Sequence, residues 1–156
     1  EAVQSDWDDE RVAIGAIKYM ILRQSIGNDI VFDFEKSVST EGDSGVYLQY
    51  AHAWACSVLE KVDLSQPSPK LGEGKDEVYL IEKLLYRFPE IVERAGTEYA
   101  PNYITTYLTE LASAFNNLYA HEQIMGDAYR LAITQAFKIV MGNGLKILGI
   151  PAPERM

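Results

Sequence analysis

The chain has 156 residues, 47% of them hydrophobic and 24% charged, with a formal net charge of −9 at neutral pH. That length supports one domain, or one domain with a short leader, and buries enough surface for a core without disulfides or bound metal. The composition is that of a soluble globular protein, the apolar runs are too short to cross a bilayer, and no basic-then-apolar leader indicates secretion.

The single cysteine, Cys56, cannot form an internal disulfide and points to a reducing compartment. With His52 and His121 it makes no metal-ligand spacing, so no metal site is expected. Net acidity argues at first against a nucleic-acid partner, but it is unevenly spread. Residues 1–43 hold 10 acids and 4 bases, a net of −6; residues 44–100 hold 9 and 6, a net of −3; residues 101–156 hold 4 and 4, a net of 0. The last third of the chain is the part least repelled by phosphate.

In chain order, the spacing predicts a first helix from about Asp6 to Gln24, with Ser5 and Asp8 resembling a capping box and Gly27-Asn28 ending it. Ile30 to Phe34 alternates apolar and acidic residues as a short extended segment would. From Ser44 onward Tyr47, Tyr50, Ala51, Trp54, Ala55, Val58, Leu59 and Val62 step by three and four along one helical face. Pro67, Pro69, Gly72 and Gly74 mark a loop over residues 63–75.

Val78, Ile81, Leu84, Leu85 and Phe88 predict a further helix, interrupted at Pro89, which can itself begin another short one. Pro101 suits the start of a long helix through Ile104, Leu108, Leu111, Phe115 and Leu118, broken at Gly126. The last helix runs from Asp127 towards Leu148, with Gly142 and Gly144 as weak points. The fold expected is all-α: a bundle of about five helices over residues 44–156, preceded by a mixed helix and extended leader over residues 1–43.

Catalytic motifs do not survive their structural readings. Gly42-Asp43-Ser44-Gly45 looks like the nucleophile signature of chymotrypsin-like proteases, but that family is all-β and places its histidine before the serine. Asp43 or Ser44 as the N-cap of the following helix explains the segment better. His52 reads as a hydrogen-bonded boundary residue and Cys56 as a small buried apolar group. The stretches 71–75 and 142–146 are glycine-rich but lack the spacing of a phosphate-binding loop. What remains is a helical domain with ten tyrosines, several near helix ends, where a ring can offer its face to a base.

Longer strings carry more information. Gly15-Ala16-Ile17-Lys18-Tyr19, then Val31-Phe32-Asp33-Phe34, then Tyr47-Leu48-Gln49-Tyr50-Ala51-His52-Ala53 are followed by Phe115-Asn116, Tyr119, Arg130-Leu131, Gly144-Leu145 and Leu148-Gly149-Ile150. Pro153-Glu154-Arg155-Met156 closes the sequence. In order and spacing these resemble the arginyl-tRNA synthetases over nearly the whole chain, and the tail separates that family from cysteinyl-tRNA synthetases, which share a related helical domain.

The resemblance implies a connector from the catalytic core over residues 1–43 and an anticodon-binding helical domain over residues 44–156. The family's ATP-site signatures, HIGH and KMSKS, do not occur here and would lie upstream of Glu1. It therefore implies recognition of tRNA(Arg) without chemistry in this piece: no cofactor here, ATP with Mg in the full-length enzyme, and a missing N-terminal catalytic domain as partner. A cytoplasmic monomer without membrane association is expected.

Tyr47, Tyr50, Tyr119, Gln123 and Met156 are the expected base contacts, with Tyr119 and Met156 at the family's anticodon-facing positions. Arg130, Lys138 and Arg155 are candidate phosphate partners, chosen for charge. The family usually has arginine after the YAHA stretch; Trp54 there removes an expected phosphate contact or ion pair and offers a ring for stacking or packing. The rival readings are a free-standing helical module that binds tRNA or protein, and a purely structural domain with tyrosines at the rim of its core.

Overall fold

The computed structural model describes residues 2–61 and 78–156, with side chains from Glu10 onward. The helices are α1 (Ala2–Leu22), α2 (Phe34–Ser37), α3 (Gly45–Glu60), α4 (Leu80–Thr97), α5 (Asn102–His121) and α6 (Ala128–Ile147), and no strand occurs among the described residues. Helix α3 lies at the centre, packed by α1, α5 and α6, while α4 covers α5 and α6 from the other side. The core joins Leu48, Ala51 and Ala55 of α3 to Leu108, Leu111 and Phe115 of α5 and Phe137, Met141 and Leu145 of α6. At its middle Phe115 and Phe137 stack with ring centroids 4.1 Å apart.

Ser44 is the N-cap of α3: its extended backbone lets Oγ accept from the Tyr47 amide at 3.0 Å. The same hydroxyl donates to the Ser39 carbonyl, so both of its functions are occupied in holding the helix start. Asp43 accepts from the Tyr19 hydroxyl and pairs with Arg23 at 2.5 Å. The Gly-Asp-Ser-Gly segment thereby ties α1 to α3.

That junction is close. A Cβ on Gly45 would lie 2.5 Å from the Gly15 carbonyl oxygen, and one on Gly15 would lie 2.7 Å from the Gln49 amide. Two glycines facing each other let the backbones of α1 and α3 meet, which buries Ala16, Tyr19 and Met20. The supposed connector helix is thus packed onto the bundle rather than standing off from it.

Several expectations change. Helix α1 already runs through Ser5, so that residue is an interior position and not the cap. Residues 29–33 form no strand; Asp33 instead caps α2, its carboxylate accepting from the Lys36 amide at 3.2 Å, which holds that carboxyl below its usual range. The local acid served a cap rather than a strand's solvent face. Pro89 does not interrupt: α4 is one helix with the proline inside it. Pro89 is exposed, where water can replace the hydrogen bond that proline forfeits.

Gly144 is no weak point either. A Cβ there would lie 2.5 Å from Leu108 Cδ2, so the glycine lets α6 approach α5. The loop expected over residues 63–75 lies outside the described residues, as does Val62.

Gly45→Ala should lower stability by about 1–3 kcal/mol, because the added methyl meets backbone that cannot give way. Gly96→Ala, whose Cβ would meet nothing within 4 Å, should raise it by about 0.5–1 kcal/mol. Urea unfolding of the two variants beside the parent measures both; equal effects would mean the α1–α3 contact is not tight.

Candidate nucleic-acid interface

Helix α3 has two chemically different faces. By the helical turn of 3.6 residues, Tyr47, Tyr50 and Trp54 share one, while Gln49, His52, Cys56 and Glu60 share the opposite one.

On the first face the structure assembles an aromatic cluster. Trp54 stands with its ring centroid 4.3 Å from Tyr119 of α5, 5.9 Å from Phe115 and 6.3 Å from Tyr50. Phe115 is fully buried, Trp54 is half-buried, and Tyr50 and Tyr119 are 46% and 39% exposed. The cluster therefore rises from the core to a surface of rings whose outer members present apolar area to solvent. Tyr47 is buried beneath its edge, and its hydroxyl accepts from Asn116 Nδ2 at 2.8 Å. Burial pushes the Tyr47 hydroxyl up from its ordinary pKa, so it stays protonated with its own hydrogen available. Thr40, Glu41, Gly42, Tyr47, Tyr50 and Asn116 line a cleft of about 580 Å³ beside the cluster.

On the second face α3 holds the carboxy-terminal tail. Pro151 and Pro153 lack amide hydrogens, so the tail can be gripped there by its carbonyls alone. Gln49 Nε2 donates to the Pro151 carbonyl at 2.9 Å. His52 Nδ1 lies 2.8 Å from the Pro153 carbonyl, which can only accept, so Nδ1 carries the proton. Arg155 donates to Glu60 at 3.1 Å, and Lys138 faces Glu154 at 4.0 Å.

His52 is more than the boundary residue expected, being 5% exposed. Cys56 is buried, as expected; its Sγ lies 3.9 Å from a histidine nitrogen already donating to the tail, and burial pushes its thiol up. Neither residue is arranged as a base–nucleophile pair.

The candidate residues therefore divide. Tyr50 and Tyr119 come together through Trp54, a residue chosen in the sequence only as a departure from the family. Its contacts with Phe115 and Tyr119 required knowing how α3 and α5 pack, whereas Tyr50 lies one turn before it on the same helix. Tyr47 lies beneath that edge. Met156 is 52% exposed at the end of a tail anchored on the opposite face of α3.

Gln123 is exposed in the connection after α5, directly beyond Tyr119. Arg155 makes an exposed ion pair with α3, and the half-buried Lys138 pairs with the exposed Glu154 of the tail; such pairs are worth only a few tenths of a kcal/mol to about 1.

Arg130 is different. Its side chain is 15% exposed and pairs with Glu122 at 2.5 Å and Asp127 at 3.2 Å. It also donates to the Gln123 carbonyl at 3.0 Å and to the Tyr79 hydroxyl at 3.3 Å. Asp127 caps α6 through the Arg130 amide. With two carboxylates and a carbonyl around it, the guanidinium fastens the 122–127 connection and the start of α6, and its charge is spent inside the protein.

No group of His, Cys, Asp and Glu among the described residues could hold a metal ion. The Gly142–Lys146 stretch is helix interior packed against His52 and Leu108, so it forms no phosphate-cradling loop, and the glycine-rich stretch over residues 71–75 lies outside the described residues. No described helix is long and apolar enough to cross a membrane.

The DALR anticodon binding domain is the family whose pattern matches residues 48–156. The chain belongs to this family. The match begins one residue after Tyr47 and takes in the aromatic cluster, the Arg130 network and the whole tail. Among curated relatives, "Arginine--tRNA ligase" of Lactococcus lactis subsp. lactis is 39% identical over 155 residues, covering 94% of this chain and 27% of the relative. The protein of that name from Ligilactobacillus salivarius is 37% identical over 152 residues, with the same coverage.

Among solved structures, the Thermus thermophilus arginyl-tRNA synthetase superposes with a TM-score of 0.78 at 32% identity, over 94% of this chain and 27% of that one. The Plasmodium falciparum enzyme, at 19% identity and a TM-score of 0.83, shows the fold alone. The chain thus spans about a quarter of the length of these relatives, and the all-helical anticodon-binding architecture is common to them.

Arg130→Met should lower the stability of the anticodon-binding domain by about 1–3 kcal/mol, because it leaves Glu122 and Asp127 facing each other without their shared cation. Chemical unfolding and RNA affinity of the same variant decide its role. Unchanged stability with lost affinity would restore Arg130 as a phosphate contact.

Proposed function

We propose that this chain is the tRNA-reading part of an arginine–tRNA ligase and that it recognises the anticodon loop of tRNA(Arg) on the face formed by Tyr50, Trp54 and Tyr119. The observation that carries the proposal is this exposed ring cluster inside a domain of the anticodon-binding family. Bases splayed from a single-stranded loop are held by stacking on aromatic faces and read at their edges by polar groups. Tyr50 and Tyr119 supply the faces. The Tyr47 hydroxyl, Gln123 and the cleft beneath Tyr50 supply edge contacts, and Met156, whose tail is anchored across α3 from the rings, offers a separate flexible apolar contact.

Lys138 and Arg155 release their exposed carboxylate partners to take phosphate. The overall charge of −9 opposes this, and the neutral last third of the chain is where phosphate is tolerated. Arginine activation with ATP and Mg belongs, in this proposal, to a catalytic part outside the chain, in a cytoplasmic enzyme that acts as a monomer.

The test is titration of the purified domain with tRNA(Arg) and with the same tRNA carrying a substituted anticodon. Preference for the natural anticodon is expected; equal binding to both, or to scrambled RNA, would end the proposal. Tyr119→Ala and Trp54→Ala should each weaken binding by about 1–3 kcal/mol, the worth of a stacked base. Affinity is to be computed per folded molecule, because both rings also touch the core. Lys138→Ala and Arg155→Ala should each reduce the slope of log affinity against log salt by about 0.7–0.9 if each meets one phosphate. The chain alone should give no ATP–pyrophosphate exchange with arginine.

A further inference from the structure

We propose that Gln49 and His52 are positioning residues for tRNA recognition: from beneath the carboxy-terminal tail they fix where Met156 is presented. This rests on the anticodon reading above and names the part of the domain that sets one of its contacts. The tail runs along the face of α3 opposite the rings, in the direction of the helix, with Pro151 at Gln49, Pro153 at His52 and Arg155 at Glu60. From Gln49 to Glu60 the helix rises about 16 Å, and the four residues from Pro151 to Arg155 span about 13 Å when extended. The tail is therefore laid out nearly straight.

Covering the polar face of α3 is complete at Pro153, where Gln49 and His52 have both found their carbonyls. Glu154, Arg155 and Met156 go beyond that need, and the residue they lead to is 52% exposed. An anchorage that ends on an exposed apolar side chain serves to present it.

The contacts that hold the tail are of two kinds. Arg155 with Glu60 and Lys138 with Glu154 are ion pairs at 3.1 and 4.0 Å, whose carboxylate side chains are 49% and 73% exposed. Such pairs are screened by salt and exchange partners. In the proposed function both cations turn to phosphate, so neither holds the tail while RNA is bound. Gln49 and His52 reach the tail from the interior, through hydrogen bonds of 2.9 and 2.8 Å, and breaking either leaves a buried donor unpaired. They keep Met156 in place while the ion pairs exchange.

The chain's single cysteine reports on this latch. Cys56 lies between His52 and Glu60 on the same face and is buried, with Sγ 3.9 Å from His52 Nδ1, so a thiol reagent reaches it when the tail lifts.

The test is a double-variant cycle in the 156-residue chain: His52→Leu, deletion of Met156, and both together. Each is measured for tRNA(Arg) affinity, unfolding midpoint and the rate at which a thiol-reactive disulfide labels Cys56. His52→Leu should label faster and bind tRNA about threefold to tenfold more weakly per folded molecule, the span expected for one lost hydrogen bond. His52→Asn, whose amide nitrogen can donate to Pro153 in place of Nδ1, should restore both. In the chain lacking Met156, His52→Leu should cost no further affinity, because the residue it positions is gone. If His52→Leu does not fold, Gln49→Met takes its place in the cycle. Labelling no faster than in the parent, equal affinity, or losses that add across the cycle would overturn the positioning role; a parent that still prefers the natural anticodon would leave the recognition reading standing. A parent without that preference would overturn the recognition reading, and this role with it.

Discussion

Helix α3 has neighbours on most of its circumference, and a helix so placed carries polar side chains at a cost unless partners are supplied. Gln49 and His52, 0% and 5% exposed in the centre of the domain, are where that cost is met. Gln49 Nε2 donates to the carbonyls of Pro151 and Arg11 and His52 Nδ1 to that of Pro153, while Gln49 Oε1 stays buried without a partner. The pairing is reciprocal. Burying an amide or imidazole without a hydrogen bond costs about 1–3 kcal/mol, and a proline-rich tail has few donors with which to hold itself. Each side supplies what the other lacks. Packing of the tail is therefore coupled to a correctly formed α3, and the last residue is placed by contacts three turns apart along one helix.

The same division of faces explains why the exposed surface over α3 and α5 is aromatic. On the α3 face turned towards α5 the buried Tyr47 hydroxyl is met by Asn116 Nδ2 at 2.8 Å, and beside it rings climb from Phe115 through Trp54 to Tyr50 and Tyr119. Stacking tolerates such a surface because every base has a π-face. It also suits a domain of net negative charge, since attraction through apolar contact does not depend on phosphate neutralisation. In the proposed binding the basic side chains near the tail would contribute only after giving up Glu60 and Glu154.

Much of this architecture could be read from the sequence because it is local. Apolar steps of three and four located α3, α5 and α6, and Ser44 and Asp127 stand where caps belong. What could not be read is long-range. Nothing near Gln49 announces that its partner is Pro151, and nothing near Gly144 announces Leu108. Glycine in a helix reads as weakness until the neighbouring helix is known. Pro89 misled for a related reason: its cost depends on whether it faces water.

Among candidate site residues, Tyr50 and Tyr119 were chosen singly as rings, but that Trp54 joins them in one cluster could not be read, because two helices contribute to it. Arg130 was chosen for a charge that the fold had already spent on Glu122 and Asp127.

The contact between α1 and α3 gives these surfaces a mechanical relation. Gly15 and Gly45 bring two backbones together with no side chain between them, and Tyr19 adds a buried hydroxyl held by Asp43 and Thr109. Burial first, and the neighbouring Asp43 next, push that hydroxyl far above its ordinary pKa, which keeps it a neutral donor. Side chains in such a contact have no alternative rotamers to absorb a displacement, in contrast to a junction built from long flexible residues. Helix α1 is therefore joined to Tyr50 and Trp54 through one stiff crossing and the body of α3. A displacement at one end of that path is carried to the other, where a flexible linker would dissipate it as entropy.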